Sequence, residues 1–150
     1  MRITRLKLQN WRNFKRVEVR LSQRSFFVGP NASGKSNLLD ALRFLRDIVA
    51  VGGGLQEAVG RRGGLSELRC LSAKSNPNVA IQIDLGDDAN SIQWTYSVEF
   101  NAHGKARSPR LTSENVSQDG KSVLKRPDLD DRTDPERLSQ TALEQVNFNK

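Results

Sequence analysis

The stretch SFFVGPNASGKSNLLDALRFL, residues 25–45, decides the fold of this 150-residue chain. It opens on an apolar run, turns through Gly29 and Gly34, and continues from Lys35 as an amphipathic pattern. The wholly apolar SFFV predicts a short strand covered on both faces. After it, Leu38, Leu42, Leu45 and Val49 recur at helical spacing, widened by Leu39, Ala41 and Ile48. The helix is expected from Lys35 to about Val51, where the glycines at 52–54 stop it.

Gly29 to Ser36 reads G-x-x-x-x-G-K-S. A loop closing from a strand onto a helix, here through Pro30, Asn31, Ala32 and Ser33, turns successive backbone N–H groups inward as an anion nest. Gly34 lets the backbone approach phosphates with no Cβ in the way. Lys35 reaches the β- and γ-phosphates, and the Ser36 hydroxyl is placed to ligate Mg²⁺. The helix that follows, with Asn37 in its first turn, adds the partial positive charge of its N-terminus. A chance match is expected on the order of once in two hundred chains of this length. A strand pattern before the loop and a helix pattern after it lower that further. The expected ligand is ATP with Mg²⁺.

Outward from the loop, charge is unevenly spread. Residues 1–24 hold eight Lys/Arg (Arg2, Arg5, Lys7, Arg12, Lys15, Arg16, Arg20 and Arg24) against Glu18 alone, which accounts for the whole net charge of +7. Such a segment either binds nucleic acid or steers a phosphate ligand, or it guards a sheet edge against aggregation. Cys70 is the single cysteine, which excludes an intrachain disulfide framework and a thiolate zinc site. The N-terminus has no apolar signal-peptide core and no run is long enough to span a bilayer, so a cytoplasmic protein with no membrane partner is expected.

VEVRL alternates as a half-buried strand, and MRITRLKL is its partner, with Ile3 and Leu6/Leu8 brought into phase by a bulge. Residues 79–85 and 92–100 form two period-two runs across a short turn, an antiparallel hairpin. Asp119-Gly120 predicts a second hairpin with a primed turn. RPDLDDRTDPER reads as a polar loop, after which Thr133 and Glu136 resemble a capping box opening a helix on Leu138, Ala142 and Val146. The chain therefore divides into a P-loop core (1–51), a mainly antiparallel β part (52–126), and a linker with the start of a helix (127–150).

LQNWRNFKRVEVRL followed by FFVGPNASGKSNLLDAL resembles the opening of the SMC/RecF-like ATP-binding-cassette ATPases, including their OLD-like and AAA-annotated relatives. Those proteins begin with a strand, an N-F-R-x-F turn, a second strand and a G-x-N-x-[SA]-G-K-[ST] loop. Here Asn10-Trp11-Arg12-Asn13-Phe14 stand in the turn and Asn31 in the loop. The resemblance is good over roughly residues 1–70 and only architectural beyond. It implies an α/β P-loop fold, the N-terminal lobe of an ABC/SMC-type ATPase domain with an antiparallel β part. It implies that Arg12 and Asn13 contact phosphate or adenine.

The resemblance also implies ATP-gated work on nucleic acid in repair, maintenance or phage defence, a head-to-head homodimer, and an effector protein or DNA as partner. The signature motif and the Asp-Glu strand that such ATPases need are not recognisable before Lys150, so no catalytic residue is assigned and a C-terminal half of the same domain is the expected partner. Asp84 imitates the magnesium-side aspartate. Its apolar run is broken by Gln82, Leu-Gly follows instead of Glu, and it sits in a hairpin. Gln140 and Gln145 lack a preceding strand, and His103 reads as a solvated loop residue. The Arg61-Arg62-Gly-Gly turn either brings two arginines toward phosphate or nucleic acid or, as favoured here, is a solvated loop. The rival readings are a nucleic-acid-binding module with a structural P-loop, and a small P-loop kinase.

Overall fold

Alternation in the first twenty residues builds the first hairpin, β1 (Arg2–Trp11) and β2 (Phe14–Arg20). Thr4, Leu6, Leu8 and Asn10 are buried while Arg5, Lys7 and Gln9 are half-exposed, as a strand with one covered face requires. The computed structural model describes residues 1–72, 77–88, 90–105 and 107–145. The register of β1 shifts between Ile3 and Arg5, which is the bulge expected from the phase of Ile3.

Strands β3 (Val79–Gly86), β4 (Ile92–His103), β5 (Ser108–Gln118) and β6 (Lys121–Arg126) continue as an antiparallel meander. All six strands form one sheet in the order β2-β1-β3-β4-β5-β6. The β5–β6 turn has φ 47° at Asp119 and 76° at Gly120, the two positive values of a primed hairpin turn.

One face of this sheet is covered. Helix α1 (Lys35–Val49) buries Leu38, Ala41, Phe44, Leu45 and Ile48, and α2 (Leu55–Gly60) and α3 (Leu65–Leu68) add Leu55, Ala58, Val59, Leu65 and Leu68. The centre is aromatic. Phe44 meets Trp11 edge-on with centroids 5.2 Å apart and stacks on Phe100 at 5.5 Å. Each such pair adds about 0.5–1.5 kcal/mol beyond area burial. The column joins the β1–β2 turn, the helix behind the glycine loop, and the middle of the sheet.

Two expectations need correction. SFFV is not a strand: Leu21 makes the last sheet contact, donating to the Thr4 carbonyl, and residues 25–30 have no regular structure. Phe26 and Val28 are 86% and 93% exposed. A strand needs a neighbour to take its backbone bonds, and beyond Leu21 this segment pairs with none of the six strands of the sheet.

The second correction lies near the C-terminus. The capping box is formed by Asp128 with Asp131 and opens α4 (Leu129–Thr133) inside the supposed polar loop. Thr133 instead donates to the Leu129 carbonyl. Asp134 caps a 3-10 turn over Pro135–Ser139, and extended backbone at Gln140 separates it from α5 (Ala142–Gln145). Val146 lies outside the described residues.

Buried charge pins this segment to the sheet. Arg126, on β6, donates to Asp131 at 2.9 and 2.7 Å and to Glu114 at 3.2 Å. Glu114 also accepts from the Tyr96 hydroxyl and the Ala142 amide. Glu144 accepts from the Leu55 amide and so caps α2 from a distant part of the chain.

Candidate nucleotide site

The glycine loop ends on Gly34, the N-cap of α1, at φ 96°. Ala32 also has a positive φ, 64°. The first helical bond runs from the Leu38 amide to the Gly34 carbonyl, so the amides of Lys35, Ser36 and Asn37 open the helix without intrahelical acceptors. Lys35 folds back over the loop. Its Nζ donates to the carbonyls of Gly29 (2.7 Å) and Pro30 (2.6 Å) and to Ser33 Oγ (3.2 Å). An ammonium held by neutral acceptors at the mouth of a helix N-terminus suits a polyphosphate, which offers it full negative charge instead. Ser36 is exposed in the first helical turn.

The β1–β2 turn presses on this loop. A Cβ on Gly34 would fall against the side chains of Asn13 and Phe14, so the glycine is needed for close packing as well as for its φ. Trp11 Nε1 donates to the Asn37 carbonyl at 2.8 Å, and Asn37 Nδ2 to Asn13 Oδ1 at 2.8 Å. The structure thus brings Asn13, Gly34, Lys35, Ser36 and Asn37 to one place.

Arg12 stands beside them, held at φ 53° with its amide on the Leu68 carbonyl. Its guanidinium donates to Asp40 and to the Glu67 carbonyl, both at 3.3 Å, and its buried Nε has no partner. A groove of about 540 Å³ opens here, lined among others by Arg12, Asn13, Asn37, Arg69 and Cys70. Cys70 is buried.

Sequence reasoning missed two residues of this neighbourhood. Arg62 is not a solvated loop residue. Its side chain is 7% exposed, donates to Asp40, Asp47 and the Ala58 carbonyl, and lies 5.2 Å over the Phe44 ring. Asp40 joins it to Arg12. The available signal was an acid, Asp40, four residues past the loop serine Ser36, on the flank of an otherwise apolar helix face.

Asp84 is occupied elsewhere. It is buried on β3 and accepts from Arg5, Gln82 and Thr95. Burial pushes its carboxyl up, but those bonds prevail and leave its pKa lowered. Among the described residues no cluster of His, Cys, Asp or Glu is suited to hold a metal by itself. Mg²⁺ characteristically binds through phosphates, waters and one or two protein oxygens, and Ser36 fits that pattern.

A left-handed glycine N-cap, a loop lysine and a helix N-terminus behind an antiparallel lobe define a P-loop nucleotide-binding domain. Residues 25–148 match the family described as AAA domain, putative AbiEii toxin, Type IV TA system, and the chain belongs to that family. Residues 3–45 match the P-loop containing region of AAA domain.

Among curated proteins, the chain is 50% identical over 46 residues to the DNA replication and repair protein RecF of Chlamydia caviae. It is 40% identical over 47 residues to Endonuclease GajA of Bacillus cereus. The matches cover 30% and 31% of this chain but 12% and 8% of those relatives. Among solved structures, one described under ATP-driven dimerization and DNA-stimulated activation of SMC ATPases matches with a TM-score of 0.54 at 19% identity, over 83% of this chain and 73% of that one. The recombination mediator RecF-ATP matches at 0.50 and 18%, over 82% and 28%. The SMC/RecF-like α/β fold expected from the sequence is borne out. No helix among the described residues is long and apolar enough to cross a membrane.

Proposed function

We propose that this chain binds ATP with Mg²⁺ and is the N-terminal lobe of a larger SMC/RecF-like ATPase that acts on or with nucleic acid in repair, maintenance or phage defence. The observation that carries the reading is Lys35, whose ammonium is tied to the carbonyls of Gly29 and Pro30 across the glycine loop. The loop from Gly29 to Ser36 cradles the phosphates with Asn37, while Arg12 and Asn13 flank them from the β1–β2 turn. Magnesium, when bound, neutralises phosphate charge, and the Ser36 hydroxyl is the ligand this chain contributes.

The exposed apolar run supports an incomplete domain. Phe26 and Val28 remain open to solvent just ahead of the glycine loop, where further strands of the same domain would cover them. The partner is therefore the C-terminal half of the domain, with a head-to-head homodimer, DNA or an effector protein in the assembled protein. The divisions 1–51, 52–126 and 127–150 belong to the same proposal.

The test is thermal unfolding of the chain with and without ATP and Mg²⁺. Ligand at about a hundred times its dissociation constant adds about 2.7 kcal/mol, a rise of about 5–10 °C at this size. Lys35→Ala should abolish the rise. A rise that survives in Lys35→Ala refutes the site.

A further inference from the structure

Two carboxylates of α1, Asp40 and Asp47, face three guanidiniums, those of Arg12, Arg46 and Arg62. Arg62 is the centre of this network. Its Nε lies 3.1 Å from both Asp40 oxygens and its NH2 2.9 Å from Asp47. With its ring contact to Phe44, it is fixed from every side, and so the Asp40 carboxylate is fixed too. The remaining capacity of that carboxylate goes to Arg12. Three cations against two anions leave one positive charge over. Of the three, Arg12 is the one that lines the groove, whereas Arg62 is 7% exposed and bound to both carboxylates and Arg46 is 71% exposed to solvent.

We propose that Asp40, clamped by Arg62, is a positioning residue that holds the Arg12 guanidinium against the flank of the glycine loop, where it contacts the nucleotide's phosphates. This rests on the nucleotide reading above and adds to it a part that touches no ligand. Asp40 stands one helical turn past Ser36, on the same helix whose N-terminus forms the cradle. The carboxylate thereby ties Arg12, on a separate turn, to the frame that holds the phosphates. A guanidinium pre-set by a fixed carboxylate loses less freedom on binding than a free one.

The experiment is calorimetric titration of the whole chain with ATP·Mg²⁺ and with GTP·Mg²⁺, alongside a melting curve for each variant. Arg12→Gln should weaken both nucleotides about tenfold, the loss of one charge-assisted hydrogen bond. Asp40→Glu keeps the charge that Arg62 needs but moves the carboxylate outward by a methylene. It should melt near wild type and weaken both nucleotides by a similar factor. In an Arg12→Gln background, Asp40→Glu should weaken binding no further.

Wild-type affinity in Asp40→Glu, or losses that multiply in the double variant, would overturn the positioning role. A loss in Arg12→Gln confined to ATP would move the contact from phosphate to base and overturn the assignment. Absence of nucleotide binding in the wild type, or unimpaired binding in Lys35→Ala, would instead defeat the nucleotide reading and this inference with it.

Discussion

A Cβ placed on Gly34 would stand 2.6 Å from the side-chain Nδ2 of Asn13, and equally close to Phe14 Cζ. The β1–β2 turn and the glycine loop therefore share one contact surface, and neither can move without the other. Gly34→Ala adds a methyl to that surface and strains a φ of 96°, at a cost of about 1–3 kcal/mol for the backbone alone. The expected result is a lower melting temperature together with loss of the ATP-dependent rise. Asn13→Ala in the same chain opens the space and should recover part of the melting temperature. No recovery would mean that the φ or the Phe14 contact, and not Asn13, sets the cost.

Acid should unfold this protein through its buried carboxylates. The hydrogen bond from Arg126 holds the Asp131 carboxyl at about 2, below its ordinary 3.8. Asp47 and Asp84 are lowered as well, against the opposing effect of their burial. A carboxyl lowered in the folded state contributes stability that is complete above its unfolded pKa and is lost as pH falls through the folded one. The urea midpoint should hold steady down to about pH 5 and then fall toward about pH 2. Asp131→Asn should lower the midpoint at neutral pH and flatten the fall. A midpoint that stays level under acid would contradict this account.

DNA binding, if the chain provides part of it, should depend on β2 more than on β1. Arg5 is held by Asp84 and Glu18, and Lys7 by Glu18. Lys15, Arg16 and Arg20 are exposed on the edge strand. Each phosphate contact contributes about 0.9 log unit of affinity per decade of salt on duplex DNA. Reversing Arg16 and Arg20 to Glu should flatten that slope by about two contacts and leave the ATP-dependent melting rise intact. An unchanged slope would assign these arginines to guarding the sheet edge.

The isolated chain should bind ATP without turning it over. Hydrolysis needs a carboxylate or equivalent placed on the attacking water, and Asp84 is committed to Arg5, Gln82 and Thr95. Phosphate release from purified chain should stay at background. It should appear only with the C-terminal half restored, and vanish again in Lys35→Ala. Turnover by the chain alone that falls in Asp84→Asn would reverse the assignment of Asp84.

Local patterns carried much of this fold in plain view. The bulge near Ile3, the β3–β4 hairpin and the Asp119-Gly120 turn each depend on a few neighbouring residues, and each stands where the sequence places it. SFFV misled because its composition describes a strand's environment, and that environment must come from elsewhere in the domain. Thr133 and Glu136 misled because two acids, Asp128 and Asp131, formed a box five residues earlier.

The candidate site was legible in its loop, from Gly29 to Asn37, because those residues are contiguous. The Arg12–Asp40–Arg62 chain was not, because it joins a turn, a helix and a loop that meet only in three dimensions. Arg62 in particular reads as solvated until Phe44 is placed beneath it. The burial of Glu114 was equally hidden, since its partners Tyr96 and Arg126 lie on the neighbouring strands.

The stacking of Phe44 on Phe100 has a consequence for how the chain comes into being. A ribosome adding about 5–20 residues per second delivers Phe44 several seconds before Phe100. Through that interval the helix behind the glycine loop can meet Trp11 of β1 but not Phe100, and β3 has no partner on its far side. Nascent chains halted before β4 should thus leave the glycine loop open to protease, and those extended past it should shield it. The cradle is written early in the message and becomes rigid late.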